Sequence, residues 1–466
     1  MILQIQEVLK ATGGKLLQGE KLATFPGIST DSRTVAEGEL FIALKGSRFN
    51  GHHYAIEALE KKAGGVIIEE DKVGDLRWNG YRPRAVIVVK DTLMALGDMA
   101  RDWRRKYRTP VVALTGSNGK TTTKELIAAC LGTTFPILKT KGNLNNLIGL
   151  PLTLLALTEK ERVVVLEMGM NVPGEIRRLT EIAEPDVGLI TNIQKVHLEG
   201  MGSLERLKEE KGELFQGMRR DGAILVNQDD PRVVELANHY PGQKISFGIA
   251  HPAEVMAKEI RFRGTEGTSF TLILKGEVVE IHLRLLGRHF VPNALSAIAV
   301  ACLFGMEVRQ TKEALEHFQP LPMRMEVVPL KGGTMLINDA YNANLYSMEL
   351  ALETLVEAKG KGRAIAVLGD MLELGNFTKE AHRQIGEKVK DLSVDFLVAL
   401  GEEAPLVVES AIRHGFPLER ARVVESHSEA ITLLRQMIQK EDWILVKGSR
   451  RMAMEKIVAG LIEGRA

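Results

Sequence analysis

The chain has 466 residues, too many for one hydrophobic core, and its length therefore predicts two to four domains. Its 45% hydrophobic and 26% charged residues are ordinary for a globular protein. The formal net charge of +1 argues against a protein whose affinity depends on neutralising a nucleic-acid backbone.

Targeting and membrane signals are weak in this sequence. The start, MILQIQEVLKATGG, lacks the basic region, apolar run and cleavage site of a secretion signal. The most apolar segment, residues 147–157, is too short and too interrupted by Gly149 and Pro151 to span a bilayer. Cys130 and Cys302 lie in apolar helical patterns, which favours buried thiols over disulfides or a zinc site. We therefore expect a soluble, cytoplasmic protein without a membrane partner.

The first block of the chain, residues 1–84, mixes helix and strand patterns. A helix is predicted near residues 5–11 and another over 54–62, with strands at ELFIAL and GGVIIEE. This pattern predicts a small mixed α/β domain.

The second block, residues 85–319, leads through a strand and a helical run into the strand TPVVALTG. Strands and helices then alternate along RVVVLEMG, GEIRRLTEIA, DVGLITNI, SLERLKEEKGELFQGM and GAILVN. Unbroken β-rich runs separated by helices indicate βαβ units around a parallel sheet buried on both faces. We therefore predict a central P-loop ATPase-like domain, closed by a β-rich stretch over residues 260–286 and a helix over 293–304.

The third block, residues 320–466, follows the linker-like segment FQPLPMR and repeats the alternation, as in a Rossmann-like domain. Its strands end in glycine or polar residues, among them Asp339, Gly369, Gly401 and Lys447. Ligands of open α/β sheets bind outside the carboxyl ends of the strands. Any one of these positions is equally well explained by a turn, but four together favour a binding edge.

The stretch ALTGSNGKTTTKE resembles a phosphate-binding loop with one glycine displaced. Leu114 stands where the usual pattern has its first glycine, and Gly116 follows two residues later. Gly116 and Gly119 still supply the bends, Lys120 a cation for the phosphates, and Thr121 a hydroxyl for Mg²⁺. We interpret the loop as a working nucleotide site; the alternative is a glycine-rich turn with an incidental lysine.

Two residues after later strands are candidate metal ligands. Glu167 ends a buried strand, where a carboxylate is unfavourable without a cation or donor partner. It could bind Mg²⁺ or serve equally well as a cap or ion-pair partner. His197 follows the next strand, and by itself a lone histidine is more often structural.

Together these segments resemble the Mur ligase family, the ATP-dependent enzymes that build the cytoplasmic peptidoglycan precursor. The resemblance covers nearly the whole chain through TGSNGKTTTKE, GNLNNLIGLPLTLL, LEMGMNVPGEI, VHLEGMGS, KGELF, GRHFVPNAL and RMEVV. DAYNANLYSM and LGDMLELG are most similar to the members that add D-alanyl-D-alanine to UDP-N-acetylmuramoyl-tripeptide. Two departures affect loop geometry: Leu345 stands where the pattern has proline, and Met323 where it has glycine.

The resemblance implies four overlapping sets of functional residues. The set for ATP comprises Gly116, Asn118, Gly119, Lys120, Thr121, Thr122, Asn293, Arg324 and Asp339. The metal ligands are Thr121, Glu167 and His197, and the catalytic residues are Lys120, Lys211, His197 and Arg324. The substrate-binding residues are Ser32, Arg33, Lys45, Asn145, Asn146, Tyr341, Asn342 and Asn344.

Some of these assignments have strong alternatives. The family places a carbamylated lysine at Lys211, although its helix could equally present a solvated, charge-paired face. Arg33 and Lys45 could pair with the diphosphate of the UDP-sugar or simply be surface charges.

The activity implied by the resemblance is amide synthesis from ATP through an acyl phosphate, with ATP and Mg²⁺ as cofactors. The linker at residues 320–322 would then act as a hinge that closes the site. A related ligase, including one that extends folate with glutamate, and a non-catalytic nucleotide switch remain alternatives. We expect a monomer, although no pattern reports the oligomeric state, the metal preference or the third residue of the tripeptide.

Overall fold

A computed structural model describes residues 2–46, 49–75, 83–194 and 202–463. The predicted α/β class is confirmed, with three large sheets that follow one another along the described chain and a two-stranded ribbon beside the first. Among the described residues, no helix has the length and apolar character needed to cross a membrane. Cys130 is buried as predicted, whereas Cys302 is only half-buried; both are free thiols.

The first sheet has five strands in the order β2-β7-β6-β5-β4. The strands of this region are β1 (Leu3–Gln4), β2 (Lys15–Gly19), β3 (Thr24–Phe25), β4 (Ile28–Ser29), β5 (Leu40–Ile42), β6 (Gly65–Glu69) and β7 (Ala85–Val89). The helices are α1 (Ile5–Thr12), α2 (Ala55–Glu60) and α3 (Thr92–Arg105). β1 pairs with β3 in a separate ribbon.

The predicted boundary at residue 84 falls before a strand that belongs to this first sheet. β7 joins β2 to β6, pairing with β2 antiparallel and with β6 parallel. Its five buried residues therefore complete the first domain rather than open the second. A strand's sequence does not state which neighbours it pairs with. From the pairing of β7 we propose a boundary between α3 and the strand that follows it.

The second sheet has nine strands, in the order β16-β15-β14-β13-β12-β11-β8-β10-β9. The strands are β8 (Val111–Thr115), β9 (Ile137–Lys139), β10 (Val163–Glu167), β11 (Val187–Ile190), β12 (Ala223–Asn227), β13 (Gln243–Gly248), β14 (Val255–Phe262), β15 (Thr268–Leu274) and β16 (Glu277–Leu283). The helices are α4 (Lys120–Gly132), α5 (Gly149–Leu155), α6 (Glu175–Ala183), α7 (Leu204–Gln216), α8 (Pro231–Asn238), α9 (Val291–Leu303) and α10 (Val308–His317). β8 to β14 pair in parallel, whereas β15 pairs antiparallel with β14 and with β16, as the helix-separated and turn-separated strand patterns predict.

The third sheet has six strands, in the order β17-β18-β22-β19-β20-β21, of which only β17 is antiparallel. The strands are β17 (Glu326–Pro329), β18 (Met335–Asp339), β19 (Ala364–Gly369), β20 (Phe396–Leu400), β21 (Ala421–Val424) and β22 (Trp443–Lys447). The helices are α11 (Leu345–Ala358), α12 (Thr378–Asp391), α13 (Ala404–Arg413), α14 (His427–Met437) and α15 (Glu455–Glu463). The predicted linker lies between α10 and β17.

Strand register brings the carboxyl ends of three middle strands to one level. Glu167 of β10 lies beside Leu114 of β8, and Ile190 of β11 beside Thr115. Because these strands are parallel, the loops that follow them leave the sheet at the same edge. One buried apolar cluster continues from this sheet through α9 into α11, so the middle and C-terminal domains share a packed interface.

Candidate active site

A cavity of about 390 Å³ lies where the carboxyl ends of the middle sheet face those of the C-terminal sheet. Most of the residues predicted for ATP, metal, catalysis and dipeptide line it. They are Asn118, Gly119, Lys120, Thr121, Thr122, Asn145, Glu167, Lys211, Asn293, Arg324, Asp339, Tyr341, Asn342 and Asn344. The structure thus brings together groups that are more than 200 positions apart in the sequence.

The loop between β8 and α4 has the backbone shape of a phosphate cradle. Gly116 and Gly119 have φ values of +146° and +81°. Residues with a Cβ rarely adopt such angles. A Cβ at Gly116 would lie 1.9 Å from Thr191 Oγ1, and one at Gly119 would lie 2.7 Å from Asn293 Oδ1. No side chain caps the N-terminus of α4, so its first amides and its positive dipole end face the cavity. The displaced glycine of the sequence has therefore left the cradle intact.

Asn192, which the sequence analysis missed, ties this loop to the end of β11. Its carbonyl accepts from Ser117 N at 2.9 Å and its Oδ1 accepts from Asn118 N at 3.0 Å. Thr191 Oγ1 also donates to the Asn118 carbonyl at 2.7 Å. The loop is thus held in shape by its neighbour strand. Only the position of Asn192 at a strand end could have indicated this role.

Two lysine ammonium groups converge on one carbonyl of the loop. Lys120 Nζ donates to the Gly116 oxygen at 2.7 Å, and Lys211 Nζ donates to the same oxygen at 3.1 Å. Desolvation lowers the pKa of Lys120, with Glu167 opposing the shift. Desolvation, and then repulsion from Lys120, lowers the pKa of Lys211 well below its usual value. Burial thus makes both amines easier to deprotonate than free lysine.

Lys211 does not belong to a solvated helix face, which removes the alternative left open by the sequence. Its side chain is 2% exposed, and no carboxylate within the described ranges forms an ion pair with it. Lys208, one turn earlier on α7, instead pairs with Glu205 and Glu235. The helix therefore does carry ion pairs, but Lys211 takes no part in them.

Glu167 presents a buried carboxylate oxygen without a hydrogen-bond donor. Oε1 accepts from Asn145 Nδ2 at 2.8 Å, whereas Oε2 has no partner, and the residue is 2% exposed. Lys124 Nζ lies 4.0 Å from Oε2 but donates to the Thr140 carbonyl instead. A buried, unsatisfied carboxylate oxygen is uncommon and suits a cation ligand.

The donor set around Glu167 suits Mg²⁺ better than a metal bound entirely by protein. Over the described ranges there is no group of three or more His, Cys, Asp and Glu side chains able to hold a metal ion. Mg²⁺ is usually held by one or two protein oxygens together with water and substrate phosphates, and Thr121 and Glu167 supply such oxygens on the cavity wall. His197, the other predicted ligand, lies outside the described residues.

Two hydrogen bonds join the C-terminal domain to the phosphate loop. Arg324 Nη2 donates to Thr121 Oγ1 at 3.0 Å, and its guanidinium lies 3.9 Å from the ring centre of Tyr341. Asn344 Nδ2 donates to Asn118 Oδ1 at 2.7 Å. The C-terminal domain thus places a cation and an amide directly on the loop.

The backbone around Arg324 is strained on both sides. Met323 and Met325 have φ values of +57° and +54°, the left-handed region, which disfavours residues with a Cβ by about 1–2 kcal/mol each. Met325 N donates to Asp339 Oδ1 at 3.1 Å, and Tyr341 N donates to the Met323 carbonyl at 3.2 Å. Met323, which stands where the family pattern has glycine, therefore adopts the left-handed conformation that glycine would favour.

Lys447 and His289 also line the cavity, and the sequence analysis gave neither a role. Lys447 Nζ donates to Asp339 Oδ2 at 2.5 Å. Desolvation, with a smaller contribution from Lys447, lowers the pKa of His289 to about 4, so its imidazole is neutral at pH 7. The polar strand end at Lys447 and the motif GRHFVPNAL were the available signals.

The residues predicted to hold the UDP-sugar do not reach this cavity. Arg33 is exposed and pairs with Asp31 at 2.7 Å, which lowers the pKa of that carboxyl to about 2. Ser32 is buried, and Lys45 is exposed beside a β-bridge to Asn50.

Asn146 also lies outside the cavity lining, unlike its neighbour Asn145. Its Oδ1 accepts from the amides of Ile148 and Gly149 and so stabilises the start of α5. The Asn145 side chain instead lines the cavity and bonds Glu167. The structure therefore gives Asn146 a local structural bond and Asn145 a place in the cavity.

Family models match all three parts of the chain. The Mur ligase middle domain matches residues 114–301, and the glutamate ligase domain of Mur ligases matches residues 323–450. A third model, the catalytic domain of the Mur ligase family, matches residues 24–104. The two long matches begin and end close to the middle and C-terminal sheets.

Relatives of known activity match almost end to end. The UDP-N-acetylmuramoyl-tripeptide–D-alanyl-D-alanine ligase of Bacillus subtilis is 37% identical, over 94% of this chain and 93% of its own. That of Escherichia coli is 35% identical over 96% of both chains. The crystal structure of MurF from Acinetobacter baumannii superposes with a TM-score of 0.90 at 31% identity, over 99% of both chains. MurF from Thermotoga maritima in complex with ADP has a TM-score of 0.84 at 28% identity, over 94% of this chain and 98% of its own.

Proposed function

The chain belongs to the Mur ligase family, and from this premise we propose that it joins D-alanyl-D-alanine to UDP-N-acetylmuramoyl-tripeptide at the expense of ATP. The relatives that carry this activity match the chain over nearly its whole length. The observation that carries the chemistry is the cavity, where a phosphate loop, an unpartnered carboxylate oxygen and a cation from the opposite domain meet.

ATP would bind with its phosphates on the loop from Gly116 to Thr122. The uncapped amides of α4 and the Lys120 ammonium supply the positive charge that a triphosphate requires. Lys120 now bonds to its own loop, and those weak carbonyl contacts are readily exchanged for phosphate oxygens. Asn293 lies against Gly119, which supports its assignment to the nucleotide.

Mg²⁺ would be held by Thr121 and Glu167, with His197 as a further predicted ligand. When bound, the ion would neutralise charge on the phosphoryl group and orient it. Support comes from Glu167 Oε2, which is buried and accepts no hydrogen bond, with Lys124 Nζ 4.0 Å away. The chain's own contribution is to keep this oxygen fixed through Asn145 and free of competing donors.

We propose that Lys211 is carbamylated. Its lowered pKa favours the neutral amine, the form that attacks CO₂. The neutral amine forms an N–C bond to CO₂ and loses one proton, which gives a carbamate with a charge of −1. Counted from the ammonium, two protons leave and a buried +1 charge becomes −1. That anion would attract Lys120 and a metal, where the ammonium repels both.

The reaction then needs positioning and charge neutralisation rather than a protein nucleophile. The tripeptide carboxylate attacks the γ-phosphorus of ATP, giving an acyl phosphate and ADP. The neutral dipeptide amine attacks the acyl carbon, its nitrogen loses one proton as the amide forms, and phosphate leaves with the C–O bond electrons. Lys120 and Arg324 would stabilise the charge on the transferring group from opposite domains. Closure about the linker would keep water from the acyl phosphate.

The two acceptor substrates would lie on opposite sides of the phosphate loop. Tyr341, Asn342 and Asn344 line the cavity from the C-terminal domain and are proposed to contact D-alanyl-D-alanine. In the N-terminal domain, Arg33 and Lys45 are exposed cations that we propose for the diphosphate, together with the buried Ser32. We further propose that the enzyme acts as a cytoplasmic monomer.

Phosphate release with each substrate omitted in turn, followed by mass spectrometry of the nucleotide product, tests this function. We expect release to require Mg·ATP, UDP-N-acetylmuramoyl-tripeptide and D-alanyl-D-alanine together. The product should gain the mass of the dipeptide less one water. Addition of a different amino acid, or of glutamate to folate, would contradict the substrate assignment. ATP hydrolysis that ignores both acceptors would indicate a nucleotide switch instead.

A further inference from the structure

A buried lysine at the end of the C-terminal sheet is not used by the reaction described above. Lys447 is the last residue of β22 and is 2% exposed. It lies directly beside Asp339, the last residue of the neighbouring parallel strand β18. Its Nζ donates to Asp339 Oδ2 at 2.5 Å and to the Asn342 carbonyl at 2.9 Å.

The first of these bonds leads to the backbone of Arg324. Asp339 uses its second oxygen, Oδ1, to accept from Met325 N at 3.1 Å. On the other side of Arg324, Glu326 Oε2 accepts from Met323 N at 3.1 Å. A carboxylate therefore holds each of the two left-handed methionines that flank the arginine. Rotation of the Asp339 carboxylate would release one of them.

The second bond leads to the side chain of Arg324. The Asn342 carbonyl belongs to the segment 340–344, which connects β18 to α11. This segment carries Tyr341, whose ring lies against the Arg324 guanidinium, and Asn344, which bonds the phosphate loop. One ammonium thus anchors both the backbone and the stacking partner of the arginine.

We propose that Lys447 is a positioning residue that keeps Arg324 directed at the phosphate loop, acting through Asp339 and the segment 340–344. The inference rests on the proposed function, in which Arg324 stabilises the transferring phosphoryl group. Without the ammonium, Asp339 loses its buried counter-ion and is free to rotate away from Met325 N. Misplacing a catalytic group by about 1 Å can reduce turnover by roughly 10²-fold.

A double-mutant cycle between Lys447 and Arg324 tests this coupling. Lys447→Met, Arg324→Ala and the double variant are compared with wild type by single-turnover formation of the ligated product. We expect Lys447→Met alone to reduce kcat by roughly 10- to 100-fold with little change in KM for the dipeptide. In the Arg324→Ala background the same substitution should have almost no further effect, because the residue it positions is gone.

Lys359→Met is the matched control, since Lys359 forms a half-buried ion pair with Asp395 in the same domain, at 2.8 Å and away from the cavity. It should affect stability but leave kcat unchanged. Additive effects in the cycle would mean that Lys447 acts on a substrate itself and would overturn the proposal. So would a Lys447→Met variant that loses stability without losing kcat.

Two further outcomes are separable. If Lys447→Met does not fold, Lys447→Arg takes its place, because it keeps the buried charge but displaces it, and the same non-additivity is expected. If wild type forms no ligated product, the proposed function fails before the cycle begins. Wild-type product together with an additive cycle overturns only the role of Lys447.

Discussion

The cavity between the middle and C-terminal domains and the candidate sugar-binding groups of the N-terminal domain treat charge in opposite ways. In the cavity, Lys211 and Glu167 are each 2% exposed and lack a complete set of partners. In the N-terminal domain, Arg33 is largely exposed and already paired with Asp31. Burial shifts the pKa of the cavity lysines downwards, whereas the pKa of Arg33 is raised by its partner.

This contrast separates chemistry from recognition. A buried charge without partners is unfavourable for folding and is retained where a bound ion or substrate compensates it. An exposed ion pair contributes little until a ligand replaces the water around it. Substitutions in the cavity should therefore change turnover, and substitutions at the N-terminal domain should change substrate affinity.

The largest effect is expected from Arg324→Ala. An arginine supplied to a transferring phosphoryl group accelerates turnover by roughly 10³-fold or more. We expect a loss of kcat of this order, measured by single-turnover product formation, with ATP affinity reduced much less. Arg309→Ala serves as a control because Arg309 is an exposed residue of α10 paired with Glu313. If the two variants lose the same amount of activity, a catalytic role of Arg324 in the cavity is excluded.

A smaller loss is expected from Glu167→Gln, because one metal oxygen of several is replaced. The variant keeps the shape of the side chain and the acceptor for Asn145 but loses its negative charge. We expect kcat to fall by roughly 10²-fold and the Mg²⁺ concentration for half-maximal activity to rise. Glu181→Gln, at a half-exposed carboxylate paired with Arg178, should leave the Mg²⁺ titration unchanged. An unaltered titration for Glu167→Gln would assign this carboxylate to structure.

The buried Lys211 should make the stability of the protein depend on pH. Its pKa is lowered in the folded state, so between that value and the ordinary lysine pKa of 10.5 the unfolded chain binds one more proton. Stability should therefore rise with pH across this window, by up to about 1.4 kcal/mol per unit from this group alone. Urea unfolding in CO₂-free buffer should show that rise in wild type and a shallower one in Lys211→Met.

The carbamate makes a further difference in the same experiment. Adding ¹³C-bicarbonate to wild type should produce a carbamate carbon signal that Lys211→Met lacks. Equal pH slopes in the two proteins would show that Lys211 is charged in the folded state. If wild type gives no carbamate signal but keeps its steeper pH dependence of stability, only the proposed carbamate is wrong and the lowered pKa of Lys211 stands.

The phosphate loop could be recognised from the sequence for a physical reason. A phosphate loop needs its glycines and lysine within a few consecutive residues. TGSNGKTTTKE can therefore be recognised without knowing which strands lie beside it. Asn192 and Lys447 act through strands that are adjacent only in the folded sheet. The pairing of β7 with β2 and β6 is likewise not encoded in its own residues, so the sequence did not place it in the first sheet.

The burial of Lys211 lay beyond the sequence in a different sense. Its helix carries the alternating charges of a solvated face, and Lys208 does form the expected ion pairs. Three residues later on the same helix, Lys211 contacts the phosphate loop, so the same type of side chain becomes a buried amine. Helix periodicity gives the direction of each side chain, but only the packing of neighbouring elements decides which side of the helix is exposed to solvent.

Arg33→Ala should produce the smallest effect and the one that most directly tests the contrast. Because the guanidinium is exposed, its loss should leave thermal stability and kcat unchanged. KM for UDP-N-acetylmuramoyl-tripeptide should rise by roughly tenfold, since a charged hydrogen bond to the diphosphate is lost. Raising the salt concentration should weaken wild-type binding more than that of the variant, because exposed charges are screened. Arg84→Ala, at another arginine exposed in this domain, should leave this KM unchanged. If Arg33→Ala instead lowers kcat with KM constant, the N-terminal domain takes part in the chemistry and the division between the two regions is wrong.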